Sequence, residues 1–176
     1  TIRSGAFNLC EALSEISFAE GSALEEVSTM AFASSELEAF VAPPGLRVLR
    51  EGAFANCRQL RRAELNEGLE TLGSADAGYD GVFQGSALES VLLPSTLREI
   101  KKDAFCGCER LREVRLPDGL ITLGESCFCH SGLERIEIPA GVAEIEKCAF
   151  SHCRFLRSVT FVAQSALRVI RTGAFE

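Results

Sequence analysis

The chain has 176 residues, a formal charge of −7 and 47 % hydrophobic residues. That apolar density excludes a disordered chain, and no apolar run approaches the roughly 18 residues of a membrane-spanning helix. No basic tract is present to neutralise a phosphate backbone, so nucleic acid is not an expected partner.

The first element, Ile2 to Phe18, sets a template that returns along the chain. Its marker is a Phe preceded by a small residue. The index residues are Phe7, Phe32, Phe54, Phe83, Phe105, Phe128, Phe150 and Phe175, and the common spacing is 22 or 23 residues. An aliphatic residue sits five positions earlier: Ile2, Val27, Leu49, Ile100, Leu123, Ile145 and Ile170. For Phe83 that residue is Leu72, eleven positions earlier. After each Phe comes a second apolar group of the form L-x-x-V-x-L, from Leu13/Ile16/Phe18 in the first copy to Leu156/Val159/Phe161 in the last complete one. Its last two apolar residues are two apart, which is a strand period. Pro43, Pro94, Pro117 and Pro139 follow it, and a proline lacks the ladder donor, so each marks a strand end.

The pattern predicts one short strand per copy, then turns and short irregular or 3₁₀ segments, with no long helix. One copy cannot bury its own apolar face. Stacked copies turn each apolar slot into a continuous ladder, advancing by about 4.8 Å per copy. The predicted fold is a single solenoid domain over residues 1–176, built from seven to eight repeats. Both ends fall in mid-template and neither carries a polar cap, so the expectation is a fragment of a longer protein, open at both ends.

Two regularities refine the template. The step from Phe to the next Leu is six residues after Phe7, Phe54, Phe105 and Phe150, and five after Phe32, Phe83 and Phe128. The long copies carry Cys10, Cys57, Cys108 and Cys153 at the third position after Phe; the short copies carry Ser35, Ser86 and Ser131 there. The serines are expected to bond the backbone of their own turn. The second regularity is an insertion over residues 73–82, which contains Asp76, Tyr79 and Asp80 and reads as a loop at one edge of the solenoid. Loops of this kind often carry function, so these three residues are candidate protein-binding positions.

Eight cysteines invite a redox or metal reading. Most fall at inward slots, where free Cys behaves as a small hydrophobe. Cys106 and Cys129 share a slot in neighbouring copies, within disulfide range of each other. His130 and His152 also share a slot, and the expected arrangement is an exposed stacked pair rather than a zinc site, which wants four converging ligands. Arg47, Arg50, Arg61 and Arg62 suggest a local basic spot. No nucleophile–base–acid group or phosphate-cradling glycine loop stands out, so no catalytic, cofactor or metal residue is expected and the chain reads as a non-enzyme.

Leu97 to Pro117 reads LREIKKDAFCGCERLREVRLP. It resembles the BspA-like leucine-rich repeat, the Treponema pallidum type, whose consensus is L-x-x-I-x-x-x-A-F-x-x-C-x-x-L-x-x-V-x-L-P. The resemblance covers almost the whole chain. It implies a curved leucine-rich-repeat solenoid with short parallel strands on the concave face. It further implies that the alternate residues of those strands face solvent: Glu15 and Ser17, Ala39 and Val41, Arg62 and Glu64, Ser90 and Leu92, Glu113 and Arg115, Arg135 and Glu137, Ser158 and Thr160. Val41 and Leu92 are exposed aliphatics there, and Arg62, Glu64, Glu113, Arg115, Arg135 and Glu137 are expected to form cross-strand ion pairs. Together these residues are the candidate protein-binding face.

The expected function is a non-catalytic protein-interaction scaffold, a subunit or module of a larger assembly. The alternative is a cell-surface adhesin domain binding host protein or glycan. The expected partner is a protein; peripheral association with a membrane complex fits, direct membrane insertion does not. Reduced core cysteines favour a reducing intracellular compartment or organelle, with the cell surface as the alternative.

Overall fold

The computed structural model describes residues 1–73 and 80–176. Among these, twelve short strands follow one another: β1 (Glu26–Val27), β2 (Ala39–Val41), β3 (Val48–Leu49), β4 (Arg62–Glu64), β5 (Thr71–Leu72), β6 (Ser90–Leu92), β7 (Glu99–Ile100), β8 (Thr122–Leu123), β9 (Arg135–Ile138), β10 (Glu144–Ile145), β11 (Ser158–Phe161) and β12 (Val169–Ile170). All pairings are parallel, and the described residues contain neither α-helix nor 3₁₀-helix. The chain is a leucine-rich-repeat solenoid.

Each coil presents two strand positions, where the apolar periodicity predicts one. The L-x-x-I segments form the longest sheet, seven strands in the order β1-β3-β5-β7-β8-β10-β12. Each strand is only two residues long, too short to show a period of two in the sequence. Their register is uniform: Val27 lies beside Leu49, Leu49 beside Leu72, Leu72 beside Ile100 and Ile100 beside Leu123. The insertion between Leu72 and Phe83 therefore leaves the pairing of β5 with β7 in phase.

The V-x-L segments form two smaller sheets, β2-β4-β6 and β9-β11. The break falls at residues 113–116, inside the copy that best matches the template. Val114 and Leu116 are still buried there. Apolar spacing dictates burial, and burial does not by itself bring the backbone into ladder geometry.

The index phenylalanines form the widest layer of the core. Phe32, Phe54, Phe83, Phe105, Phe128 and Phe150 are buried, while Phe7 and Phe175 at the rims are 37 % and 39 % exposed. Ring centroids of successive members lie 5.1–5.6 Å apart with planes within 12° of parallel. The small residue before each Phe accepts a hydrogen bond from the Phe N–H of the preceding coil, as in Phe32 N to Ala53 O at 2.8 Å and Phe105 N to Cys127 O at 2.8 Å.

The residues two positions before and two after each Phe turn the chain through left-handed backbone. Met30, Asp103, Ser126 and Cys148 hold the earlier position, and Ser34, Asn56, His130 and His152 the later one, with φ between 53° and 58°. Glycine fills the same positions in other coils, as at Gly52 and Gly107. A non-glycine residue costs about 1–2 kcal/mol in this conformation. The compensation is a run of inter-coil bonds, such as Met30 N to Glu51 O at 3.0 Å and His130 N to Ser151 O at 2.9 Å.

Phe83's coil departs at the earlier position. Gly81 does not have a positive φ, but a Cβ on it would lie 1.9 Å from the Asp103 carbonyl oxygen. The insertion must rejoin the solenoid on a glycine. Replacing Phe105 with Ala should cost about 3–5 kcal/mol in a urea melt, whereas Phe7→Ala at the exposed rim should cost less than half of that; equal losses would show that the ladder is not the core.

Candidate interaction surface

The V-x-L strands carry the predicted candidate residues. Strand alternation buries Phe40, Ala63 and Ile136 and leaves their neighbours outside. Val41 is 56 % exposed and Leu92 is 62 % exposed. The register sets Val41 beside Glu64 and Glu64 beside Leu92, so the two aliphatics flank one carboxylate in a single row across β2, β4 and β6.

The ion pairs differ from the expectation in two respects. Arg115 and Glu137 form no ion pair among the described residues. Arg62 pairs with Glu64 along its own strand, not across to the next. Arg135 pairs across coils, with Nη2 2.5 Å from Glu113 Oε2. Its hydrogen bond holds the Glu113 carboxyl below the usual carboxylate range and raises Arg135 in turn. Both pairs are exposed, so they shape the surface more than they stabilise the fold.

The predicted residues fall into separate shallow depressions. Glu113, Arg115, Arg135 and Glu137 line one cleft of about 400 Å³ with Ser158 and Thr160. Leu92 and Arg115 share another, of about 320 Å³, with Glu67 and Asp118. Val41 lines a third with Phe18, Pro43 and Pro44. Asp80 is elsewhere: its backbone carbonyl approaches Gly52 and its charge acts on Asp103, both at the turns before the phenylalanines. Asp76 and Tyr79 lie outside the described residues. The basic spot is reduced by pairing, since Arg50 Nε sits 2.7 Å from Glu26 Oε1 and Arg62 is held by Glu64.

All eight cysteines are free thiols. The alternation of Cys and Ser has a different cause from the one expected. Each Ser faces the Cys of the following coil: Ser35 Oγ to Cys57 Sγ at 3.5 Å, Ser86 to Cys108 at 3.5 Å and Ser131 to Cys153 at 3.2 Å. Each of these thiols also lies 3.1–3.2 Å from the carbonyl oxygen of the index Phe in the preceding coil, Phe32, Phe83 or Phe128, and donates to it. Burial pushes the Cys57 and Cys153 thiols up, and Cys108 up to about 12. These are structural groups, kept protonated by the bonds they donate and by their burial.

His130 and His152 are both exposed, and their ring centroids are 4.5 Å apart, as their shared slot predicts. Among the described residues no group of three or more His, Cys, Asp and Glu side chains could hold a metal ion. One contact has no counterpart in the sequence reading: the Arg112 guanidinium lies 4.6 Å above the Phe155 ring, and Phe155 is 49 % exposed. The only sequence signal for it is an aromatic at a position where the template puts solvent.

The family model described as the BspA type leucine rich repeat region matches six copies over residues 1–75 and 79–176. No curated protein matches the chain. Among the solved structures that share the fold are three leucine-rich repeat proteins. A leucine-rich repeat protein from Bacteroides ovatus is 23 % identical over 97 % of this chain and 54 % of its own, with a TM-score of 0.69. The Treponema pallidum leucine rich repeat protein is 24 % identical over 74 % of this chain and 78 % of its own, at 0.51. A leucine rich cell surface protein from Faecalibacterium prausnitzii is 18 % identical over 97 % of this chain and 56 % of its own, at 0.53. The chain thus spans about half the length of the first and third of these proteins.

Two measurements check the electrostatics of the core turns. At about pH 8, iodoacetamide should leave Cys57, Cys108 and Cys127 of the native protein unlabelled while Cys10 and Cys148 react, because burial and a raised pKa both withhold the reactive thiolate; mass spectrometry reads the order. Asp103 gives a pH signature. Burial raises its pKa, Lys102 opposes the shift and Glu125 and Asp80 add to it. The folded-state pKa lies above the unfolded one, so the carboxylate costs stability as pH rises through that interval. Asp103→Asn should raise the melting temperature near neutral pH, and the gain should vanish near pH 3, where the wild-type carboxyl is neutral in both states.

Proposed function

Because the chain belongs to the BspA-type leucine-rich repeat family, we propose that it is a non-catalytic scaffold for protein–protein interaction, acting as a module of a larger assembly. The observation that carries this reading is the row Val41–Glu64–Leu92. It offers two exposed aliphatic side chains on either side of a carboxylate, held on rigid paired backbone. Apolar anchors beside a polar rim are the usual anatomy of a protein interface. The ion pair of Glu113 with Arg135 continues the polar rim on the following coils.

A second reading is an adhesin domain that binds host protein or glycan. The description of the Faecalibacterium prausnitzii protein as a cell surface protein favours it. No helix among the described residues is long and apolar enough to cross a membrane, which fits either location. The free thiols that donate to Phe carbonyls fit a reducing compartment.

The double substitution Val41→Lys/Leu92→Lys tests the scaffold reading. Both positions are exposed, so stability should change by less than about 0.5 kcal/mol. Partners retained by the wild-type protein from its native source should be lost by the variant, as read by quantitative mass spectrometry. Undiminished capture by a variant of unchanged melting temperature would remove this face from the interaction.

A further inference from the structure

The Phe128 coil is a short copy between two long ones, and the residue after its buried Ser131 is Gly132. The preceding coil approaches closely there: a Cβ on Gly132 would lie 2.2 Å from the Glu109 carbonyl oxygen, and the Gly132 N–H donates to Cys108 O at 3.1 Å. A cleft of about 470 Å³ lies across this coil, with Ser131 in its lining, walled by Glu109, Arg110 and Arg112 of the preceding long copy and by Arg154 and Phe155 of the following one. His130 and His152 close one side. The position equivalent to Gly132 is Glu36 at the Phe32 coil and Ala87 at the Phe83 coil, and the positions equivalent to Phe155 in the long copies that follow them are Gln59 and Arg110, neither of them aromatic.

The chemistry of this cleft is opposite to that of the chain. Three guanidinium groups line it against one carboxylate, Glu109, in a protein of charge −7. Arg112 bridges the cleft: its Nη1 donates to Gly132 O at 3.3 Å while its guanidinium covers Phe155. Arg110 has only a long contact, 3.7 Å, to Glu89 Oε1. Arg154 has no ion-pair partner among the described residues. Charged forks and a half-exposed ring are thus presented together, and neither Arg110 nor Arg154 is held in a close ion pair among the described residues.

We propose that this cleft is a second binding site, away from the V-x-L face, for a short acidic peptide segment that also carries an aromatic or aliphatic side chain. Carboxylates of the segment pair with Arg110 and Arg154 in forked geometry. Its apolar side chain packs on the open part of the Phe155 ring, which Arg112 holds in place. A sulfated glycan shares the anionic character but leaves the apolar ring unused and sets dense charge against Glu109. The site presupposes the protein-interaction reading, yet it stands on different residues from the Val41–Leu92 row.

Fluorescence anisotropy on the full chain tests it, using a labelled peptide of alternating Glu and Phe, its Gln/Phe counterpart and a labelled heparin fragment as probes. The Glu/Phe peptide should bind at least about tenfold tighter than the Gln/Phe peptide and weaken with added salt. Arg154→Glu should reduce binding about tenfold or more, and Phe155→Ala about fivefold, with melting temperatures confirming that both variants fold. Val41→Lys/Leu92→Lys should leave peptide binding unchanged, which separates failure of this site from failure of the other face. The proposal is overturned by equal affinity for the two peptides, by binding that ignores Arg154→Glu, by a dissociation constant above about 1 mM for the Glu/Phe peptide, or by heparin binding that Arg154→Glu abolishes while the acidic peptide does not bind. Should Phe155→Ala unfold, Phe155→Glu in its place should fold with an exposed charge and still abolish binding; retained binding counts against the site.

Discussion

The contact between one coil and the next is the constraint on which everything else in this solenoid depends. A single coil has no interior; its apolar side chains are buried only by its neighbours. Stacked rings at 5.1–5.6 Å and Phe N–H groups that donate to the small residue of the following coil occur together at every step from Phe7 to Phe175. The two features require each other. Ala31, Ala53, Ala104 or Cys127 before the Phe lets the backbones approach, and the approach sets the ring spacing. Left-handed residues on either side keep the N–H groups aimed along the stack. The cost of placing Met30 or His152 in that conformation is tolerated because the alternative is an unpaired buried amide.

The same neighbour relation accounts for the alternation of Cys and Ser. A thiol that donates to the carbonyl of the index Phe in the preceding coil has a small polar companion in that same coil, and Ser supplies it. The structural unit is therefore a pair of coils, short then long. Its internal bonds run from Ser35 to Cys57, Ser86 to Cys108 and Ser131 to Cys153. At the Phe128 coil the side chains of the two flanking long copies, Arg110 and Arg112 on one side and Arg154 and Phe155 on the other, wall the cleft.

Function on such a scaffold lies in the residues the core does not use. The V-x-L face presents Val41, Glu64 and Leu92 in one row, with the pair of Glu113 and Arg135 on later coils. The cleft across the Phe128 coil presents Arg110, Arg154 and Phe155. These two surfaces differ in charge and in apolar content, so under the proposed readings they would be filled by partners of unlike chemistry.

By itself the sequence determined the identity of the core ladder, the long–short alternation and the exposure of Val41 and Leu92. Each of these follows from spacing, and spacing survives without coordinates because every coil repeats it. The stacked histidines belong to the same class, since a shared slot implies adjacency. Tertiary structure alone decided what depends on the orientation of neighbouring coils. The two-residue strands of the long sheet are too short to announce themselves, and the break at residues 113–116 leaves burial unchanged. The Ser hydroxyls turn to the next coil rather than to their own turn, because the nearest inward acceptor there is a thiol. Arg62 finds Glu64 in its own strand, and Asp80 is carried to the turn beside Asp103, since the insertion rejoins the solenoid at Gly81. The cleft across the Phe128 coil combines residues from three coils, and its arginines and Phe155 stand at template positions nominally in solvent. A periodic pattern identifies what must be inside; it leaves the outward residues unconstrained, and only the three-dimensional stack brings Arg112 over Phe155.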